Sequence, residues 1–323
     1  MDRPIPGFAH PVVRASKPCQ HPLVPTRSYP LAGPLDLVRT LGPLSRGRGD
    51  PTIHVERQRA WWATRTPDGP AAIGLTVARG HVDAEAFGPG ADRLIATFPA
   101  LLGIDRDDPP IGAGHPLVAH LERRLVGIRI PRTGAVLESL VPAILEQKVT
   151  GLEARRAWTG LVARHGEAAP GPAAWRLRLS PSPTQLAALP YYAYHPFGIE
   201  QRRAELIRRV AARATWFEAI VDMPLDDGYR RLTAVPGIGP WTAAEVGVRA
   251  LGDRDAVSVG DFHLPNLVAF ALAGEPRGTD ARMLELLEPY RGQRARVIRL
   301  LESSSIRAPR YGPRLSVRGI EDL

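Results

Sequence analysis

The sequence predicts a mainly α-helical protein with a small N-terminal α+β domain built on an antiparallel sheet. Two observations carry this. Between about residues 31 and 110, short alternating segments are separated by turn residues, whereas from about 111 to 303 apolar residues recur at helical spacing. Within the helical part, Leu232 to Ala244 reads as a short helix, a tight Gly-x-Gly hairpin and a second helix.

Along the chain, residues 1–30 are proline-rich without apolar period and are expected to be a tail. Thr52-Ile53-His54-Val55-Glu56 alternates, and Arg59 to Arg65 is strand-like. Thr66-Pro67-Asp68-Gly69-Pro70 is a turn, and Ala72 to Val77 is the next strand. The run from Ala84 to Leu102 reads as a helix. Val136 to Leu145 carries apolar residues at 136, 137, 140, 141, 144 and 145, one helical stripe. Ile199, Leu206, Ile207 and Val210 form a second stripe. Met283 to Leu287 and Val297 to Leu301 form two more. Residues 304–323 read as a basic tail with Arg307, Arg310, Arg314 and Arg318.

The 323 residues are enough for two domains or one large one. Lys and Arg number 42 against 33 Asp and Glu, a net charge of +9, and the lysines are Lys17 and Lys148 alone. Arginine binds phosphate through a planar, permanently charged fork, so nucleic acid is the simplest partner; a GC-rich genome would also raise arginine over lysine. The single cysteine, Cys19, excludes an intramolecular disulfide and a four-thiolate iron–sulfur cluster. No apolar run is long enough to span a bilayer and no signal peptide is evident, so the cytoplasm is the expected compartment.

Gly237 and Gly239 allow a tight turn whose backbone can approach a phosphate, and Pro240 suits the first turn of the following helix. Asp261, in Val259-Gly260-Asp261-Phe262-His263, follows closely enough in sequence to act beside an anchored strand. The alternative for this aspartate is a cap on the helical run Leu264 to Ala273. Phe262 is expected to be a packing anchor.

Pro236-Gly237-Ile238-Gly239 with Trp241-Thr242-Ala243 and the downstream Asp261 resembles the helix-hairpin-helix superfamily of DNA glycosylases. The branch most resembled is bacterial 3-methyladenine DNA glycosylase II. Ala143 to Thr150 resembles that branch's Ala-Ile-Leu-Gly-Gln segment, and Arg202 to Ile207 its Arg-Ala-x-x-Ile/Leu helix. The resemblance implies two helical lobes around a cleft, an N-terminal sheet domain folded like a TATA-binding-protein repeat, and a monomer acting on double-stranded DNA in the bacterial nucleoid. Branches of the superfamily that carry a four-cysteine iron–sulfur cluster are excluded by the single cysteine, and the resemblance implies a structural Na⁺ or K⁺ held by hairpin carbonyls rather than by side chains.

The resemblance assigns Asp261 as the catalytic carboxylate and Gly237, Ile238, Gly239 and Thr242 as the phosphate-binding hairpin. Trp241 and Glu245 are placed at the base pocket, and Gln147 and Lys148 at the wedge that fills the gap left by a flipped nucleotide, while Tyr192, in the densest aromatic cluster, is a base-stacking candidate for the pocket. Trp241 stands where bifunctional relatives carry a Schiff-base lysine, which implies a monofunctional enzyme. Glu245 departs from the aromatic residue usual there, and Arg294 to Glu302 lacks the aromatic residue that closes the pocket. Each residue has a plainer reading: core filling for Trp241, a solvated helix position for Glu245, a surface charge for Lys148, and a packed inter-helix loop for Tyr191, Tyr192, Tyr194 and His195. The function implied is excision of alkylated or otherwise damaged bases. The alternatives are a non-catalytic lesion- or structure-binding protein and a glycosylase for deaminated or oxidised bases, with Glu245 assisting departure of a neutral base.

Overall fold

A computed structural model describes residues 24–112 and 114–309. Lys17, Cys19 and the residues 310–323 of the expected basic tail lie outside the described residues. The sheet domain contains β1 (Thr26–Pro30), α1 (Leu37–Leu41), β2 (Ile53–Val55), β3 (Arg59–Thr66), β4 (Gly69–Ala78), β5 (His81–Phe87) and α2 (Ala91–Leu101). Its strands are antiparallel in the order β1-β5-β4-β3-β2. The expected turn joins β3 to β4, with Gly69 at φ +124°.

Two boundaries differ from expectation. The sheet begins at Thr26, inside the expected tail, because β1 pairs with β5 from Thr26↔Glu85 to Pro30↔His81. Ala84 to Phe87 is strand, not helix. Its alternation of buried Val82, Ala84 and Ala86 with exposed Asp83 and Glu85 has period two, and the helix starts only at Ala91. The sheet packs Ile73, Leu75 and Val82 against Leu37, Leu94, Phe98 and Leu101 of α1 and α2.

The helical part begins with α3 (Pro116–Arg124), α4 (Val136–Leu145) and α5 (Gly151–His165). A short ribbon of β6 (Glu167–Ala168) and β7 (Arg178–Leu179) precedes α6 (Pro183–Ala188). Then come α7 (Gln201–Ala211), α8 (Ala214–Glu218), α9 (Leu225–Thr233) and α10 (Pro240–Val246), followed by α11 (Leu264–Ala273), α12 (Asp280–Leu287) and α13 (Arg294–Ser303). All four expected helical stripes are helices: α4, α7, α12 and α13.

Helix α4 is the axis of the first lobe. All of its residues but Glu138 are buried, which suits a helix apolar on nearly every side. Its ends must then be satisfied by side chains. Glu218 accepts from the Val136 and Leu137 N–H groups at 2.9 and 2.8 Å, and Arg203 donates to the Leu145 carbonyl at 2.8 Å. Leu140, Ile144, Leu161, Ile207, Leu232 and Val246 form the surrounding core. The fully buried Tyr194 belongs to it and donates its hydroxyl to Leu186 O, so this tyrosine of the segment is packed structure.

The second lobe is discontinuous in sequence. Helix α3 joins α11, α12 and α13 around Val118, Val268, Met283, Leu287, Val297 and Leu301. The sheet domain is fastened to the first lobe by buried polar groups. Glu138 accepts from Thr64 Oγ1, Arg65 N and Ser180 Oγ, and Asp50 accepts from Trp158 Nε1 on α5.

Candidate active site

The hairpin joins α9 to α10. Gly237 lies at φ +102°, and a Cβ there would stand 2.9 Å from Leu206 Cδ2 on α7, so both conformation and packing demand glycine. Gly239 is extended, and open space surrounds the position of its missing Cβ, so that side is accessible to a ligand. Ile238 faces the core and its N–H is engaged by Val235 O. The N–H groups of Gly237, Gly239, Trp241 and Thr242 find no backbone acceptor among the described residues, so the hairpin presents free donors.

Gln147 corrects an expectation. Its amide donates to Gly237 O at 3.0 Å and to Thr242 Oγ1 at 2.9 Å. It therefore ties the end of α4 to the hairpin and is not free to act as a wedge. Lys148, the next residue, is exposed at φ +56° in the turn between α4 and α5. A lysine in the left-handed region is strained. The carbonyls of Pro236 and Gly237 already accept from Arg209 and Gln147.

Asp261 lies at the junction of the two lobes. Oδ1 accepts from the N–H groups of His263 and Leu264, both at 2.8 Å, at the start of α11. Oδ2 accepts from the indole Nε1 of Trp241 on α10 at 3.2 Å. The aspartate satisfies N–H groups at the start of α11, and its carboxylate is fixed in position while partly open to solvent. Gly260 sits at φ +93° and donates its N–H to Asp280 Oδ1 at 3.1 Å, which sets the entry to the loop.

Glu245 is placed differently from either expectation. It is neither solvated nor free to protonate a base. Its side chain is 13% exposed, and it pairs with Arg249 and accepts from Ser258 Oγ at 2.6 Å. Burial acts to raise its carboxyl, but Arg249, Ser258 and Arg46 more than offset this, and it lies below the usual carboxylate range. Arg249 sits in a single π-helical turn, Gly247–Leu251, that continues α10. Its other contact is with Pro43 O of the sheet domain. Ser258 stands three residues before Asp261. Ser258 O in turn accepts from the Asp261 N–H at 3.2 Å, so the ion pair is tied through Ser258 to the loop that carries Asp261.

Tyr192 is 63% exposed with its ring against Tyr191, and no recorded contact brings it to Asp261 or Trp241. Phe262 is no packing anchor: it is 77% exposed, edge-on to His263, directly beside the catalytic candidate. The sequence reading did not single out Arg46, Arg249 or Ser258. The i,i+4 spacing of Glu245 and Arg249 was a usable signal; the link to Arg46 was not, because that residue lies far away in sequence.

No family model matches the chain. Over 207 residues, 62% of its length, it is 31% identical to a probable bifunctional transcriptional activator/DNA repair enzyme AlkA of Mycobacterium tuberculosis. The matched part spans 41% of that relative. Among solved structures it is similar to a 3-methyladenine DNA glycosylase from Archaeoglobus fulgidus, with TM-score 0.73 and 18% identity, over 85% of this chain and 97% of that one. It is also similar to the 8-oxoguanine glycosylase/lyase of Clostridium acetobutylicum in complex with double-stranded DNA, with TM-score 0.62 and 13% identity, over 83% of this chain and 90% of that one. The hairpin and the carboxylate at the lobe junction thus sit in a chain that shares its fold with these two DNA glycosylase structures.

Proposed function

We propose that the protein is a monofunctional DNA glycosylase that flips a damaged base from duplex DNA and hydrolyses its N-glycosidic bond. The observation that carries this reading is the Asp261 carboxylate, held by three donors from both lobes beside a hairpin with free N–H groups.

Breaking the C1′–N bond leaves positive charge on the deoxyribose as the electron pair departs with the base. A fixed carboxylate stabilises that charge without having to reorganise. Water then adds its oxygen to C1′ and loses a proton, leaving an abasic site. Trp241 stands where a lyase would need an amine, and an indole forms no imine, so the chemistry ends with hydrolysis.

The substrate class follows from Glu245. A neutral base leaves readily only with a proton from the enzyme, and this carboxyl is held ionised by Arg249. Bases alkylated at a ring nitrogen already carry positive charge and depart without such help. Glu245 therefore favours alkylated bases over deaminated or oxidised ones. The name of the Mycobacterium tuberculosis relative, a probable DNA repair enzyme, supports a role in DNA repair.

The test is release of free base from methylated duplex DNA, with Asp261→Asn as the comparison. Release by the wild type and its loss in the variant is the expected result. Tight DNA binding with no release from any lesion would instead identify a non-catalytic lesion-binding protein.

A further inference from the structure

An arginine-lined groove of about 300 Å³ lies between the loop from Arg46 to Asp50 and helix α5. Arg48, Arg155 and Arg156 are exposed on its walls, with Thr159, Gly47 and Gly49 between them. Arg48 and Arg156 have no carboxylate partner among the described residues, and Arg155 bonds the Gly151 carbonyl of its own helix. Many other surface arginines are paired, for example Arg93 with Asp68 and Arg291 with Glu288. Positive charge here is therefore uncompensated.

The loop is rigid by construction. Asp50, 2% exposed, accepts from the backbone N–H groups of Arg46 and Thr52 and from Trp158 Nε1 on α5. One buried carboxylate thus fixes the loop to the helix that forms the opposite wall. Gly47 lies at φ +100°, and a Cβ there would stand 2.6 Å from Arg155 Cδ, so the glycine lets Arg155 lie against the loop.

The groove is also tied to the proposed DNA face. Glu146 and Gln147 are consecutive at the end of α4. Glu146 pairs with Arg46 at 2.9 Å, and Gln147 bonds the hairpin. The strained Lys148 follows at once, and Thr150 caps the helix that bears Arg155 and Arg156.

We propose that this groove binds the sugar–phosphate backbone of the duplex flanking the lesion, so that the DNA footprint extends onto the sheet domain through Arg48. The inference rests on the DNA-binding reading above. Arginine forks suit adjacent phosphate oxygens, and the two glycines allow the backbone a close approach.

The test uses the full chain and duplex DNA carrying an abasic-site analogue, with affinity followed by fluorescence anisotropy across salt. The variants are Arg48→Ala/Arg155→Ala/Arg156→Ala and the same triple replaced by lysine. Three lost contacts should make the slope of log Kd against log salt shallower by about 2.7. Between about 50 and 200 mM salt, the alanine variant should lose roughly forty-fold less affinity than the wild type. The lysine variant should keep most of the slope, because phosphate contact needs the charge. Trimming the duplex on one flank only should bring the wild type down to the alanine variant. A steep wild-type slope shared by the alanine variant overturns the groove while leaving DNA binding intact. A slope change seen with RNA but not with DNA also overturns it. A wild type that does not bind duplex DNA removes the underlying reading as well.

Discussion

The indole of Trp241 donates to Oδ2 of Asp261 across the junction of the two helical lobes, while Oδ1 is occupied by two backbone N–H groups of α11. The carboxylate therefore cannot turn without breaking bonds on both sides. Its position under a bound sugar would be fixed before DNA arrives, which is where electrostatic stabilisation is most effective.

Asp261→Asn should reduce base release by about 10²-fold or more, measured under single-turnover conditions. The amide keeps one oxygen for the α11 N–H groups, so the folded state should persist. Affinity for DNA should hold or rise, because a negative charge near phosphate is removed. Activity within about tenfold of wild type would exclude Asp261 as the charge-stabilising group.

Borohydride should trap no covalent DNA adduct. A trapped adduct that disappears in Lys148→Ala would place that lysine at C1′ and make the enzyme bifunctional.

Lys148→Gly separates strain from function. Glycine adopts φ +56° without strain, so the variant should match or exceed the wild-type unfolding free energy, by up to about 1 kcal/mol. If the lysine fills the gap left by a flipped base, binding to abasic DNA should weaken more than binding to intact duplex. Equal losses on the two would reduce Lys148 to a phosphate contact.

Breaking the Glu245–Arg249 pair from one side should be costly, because a buried charge is left alone. Arg249→Met should destabilise the protein by about 3–5 kcal/mol in denaturant unfolding. The double variant Glu245→Leu/Arg249→Met should lose less than the sum of its single changes. Additive losses would mean that the two side chains do not act as a pair.

Glu218 sets a pH dependence of stability. Burial is the main cause that pushes its carboxyl from 4.5 up to about 7, with nearby Glu138 adding to it and the Val136 and Leu137 N–H groups opposing it. Between pH 4.5 and about 7 the folded state holds a proton that the unfolded chain has lost. The contribution of this group is therefore complete below pH 4.5 and declines as pH rises through about 7, by at most about 3 kcal/mol. Glu218→Gln should remove that decline, seen as the difference between the two stability–pH curves. Parallel curves would mean the carboxyl is not shifted.

Much of the helical fold was legible because its signals are local and periodic. The stripes of α4, α7, α12 and α13 each bury one face or more, and Gly237 marks a turn that only glycine makes easily. The strand at Ala84 to Phe87 was misread because alanine and glutamate favour helices, while burial there alternates with period two. The Trp241–Asp261 contact joins two lobes through an aperiodic loop, so spacing alone could not reveal it. The same holds for Gln147: its role depends on two hairpin atoms far along the chain.

The fastening of the sheet to the first lobe bears on how the molecule comes apart. Asp50 and Arg46 are buried and Glu138 is partly buried, each with partners on the other side of that boundary. Peeling the sheet away would break these bonds together and expose the apolar surface packed around them. Melting should therefore run as one cooperative transition, and a protease should find no stable helical remnant once the sheet is cut loose.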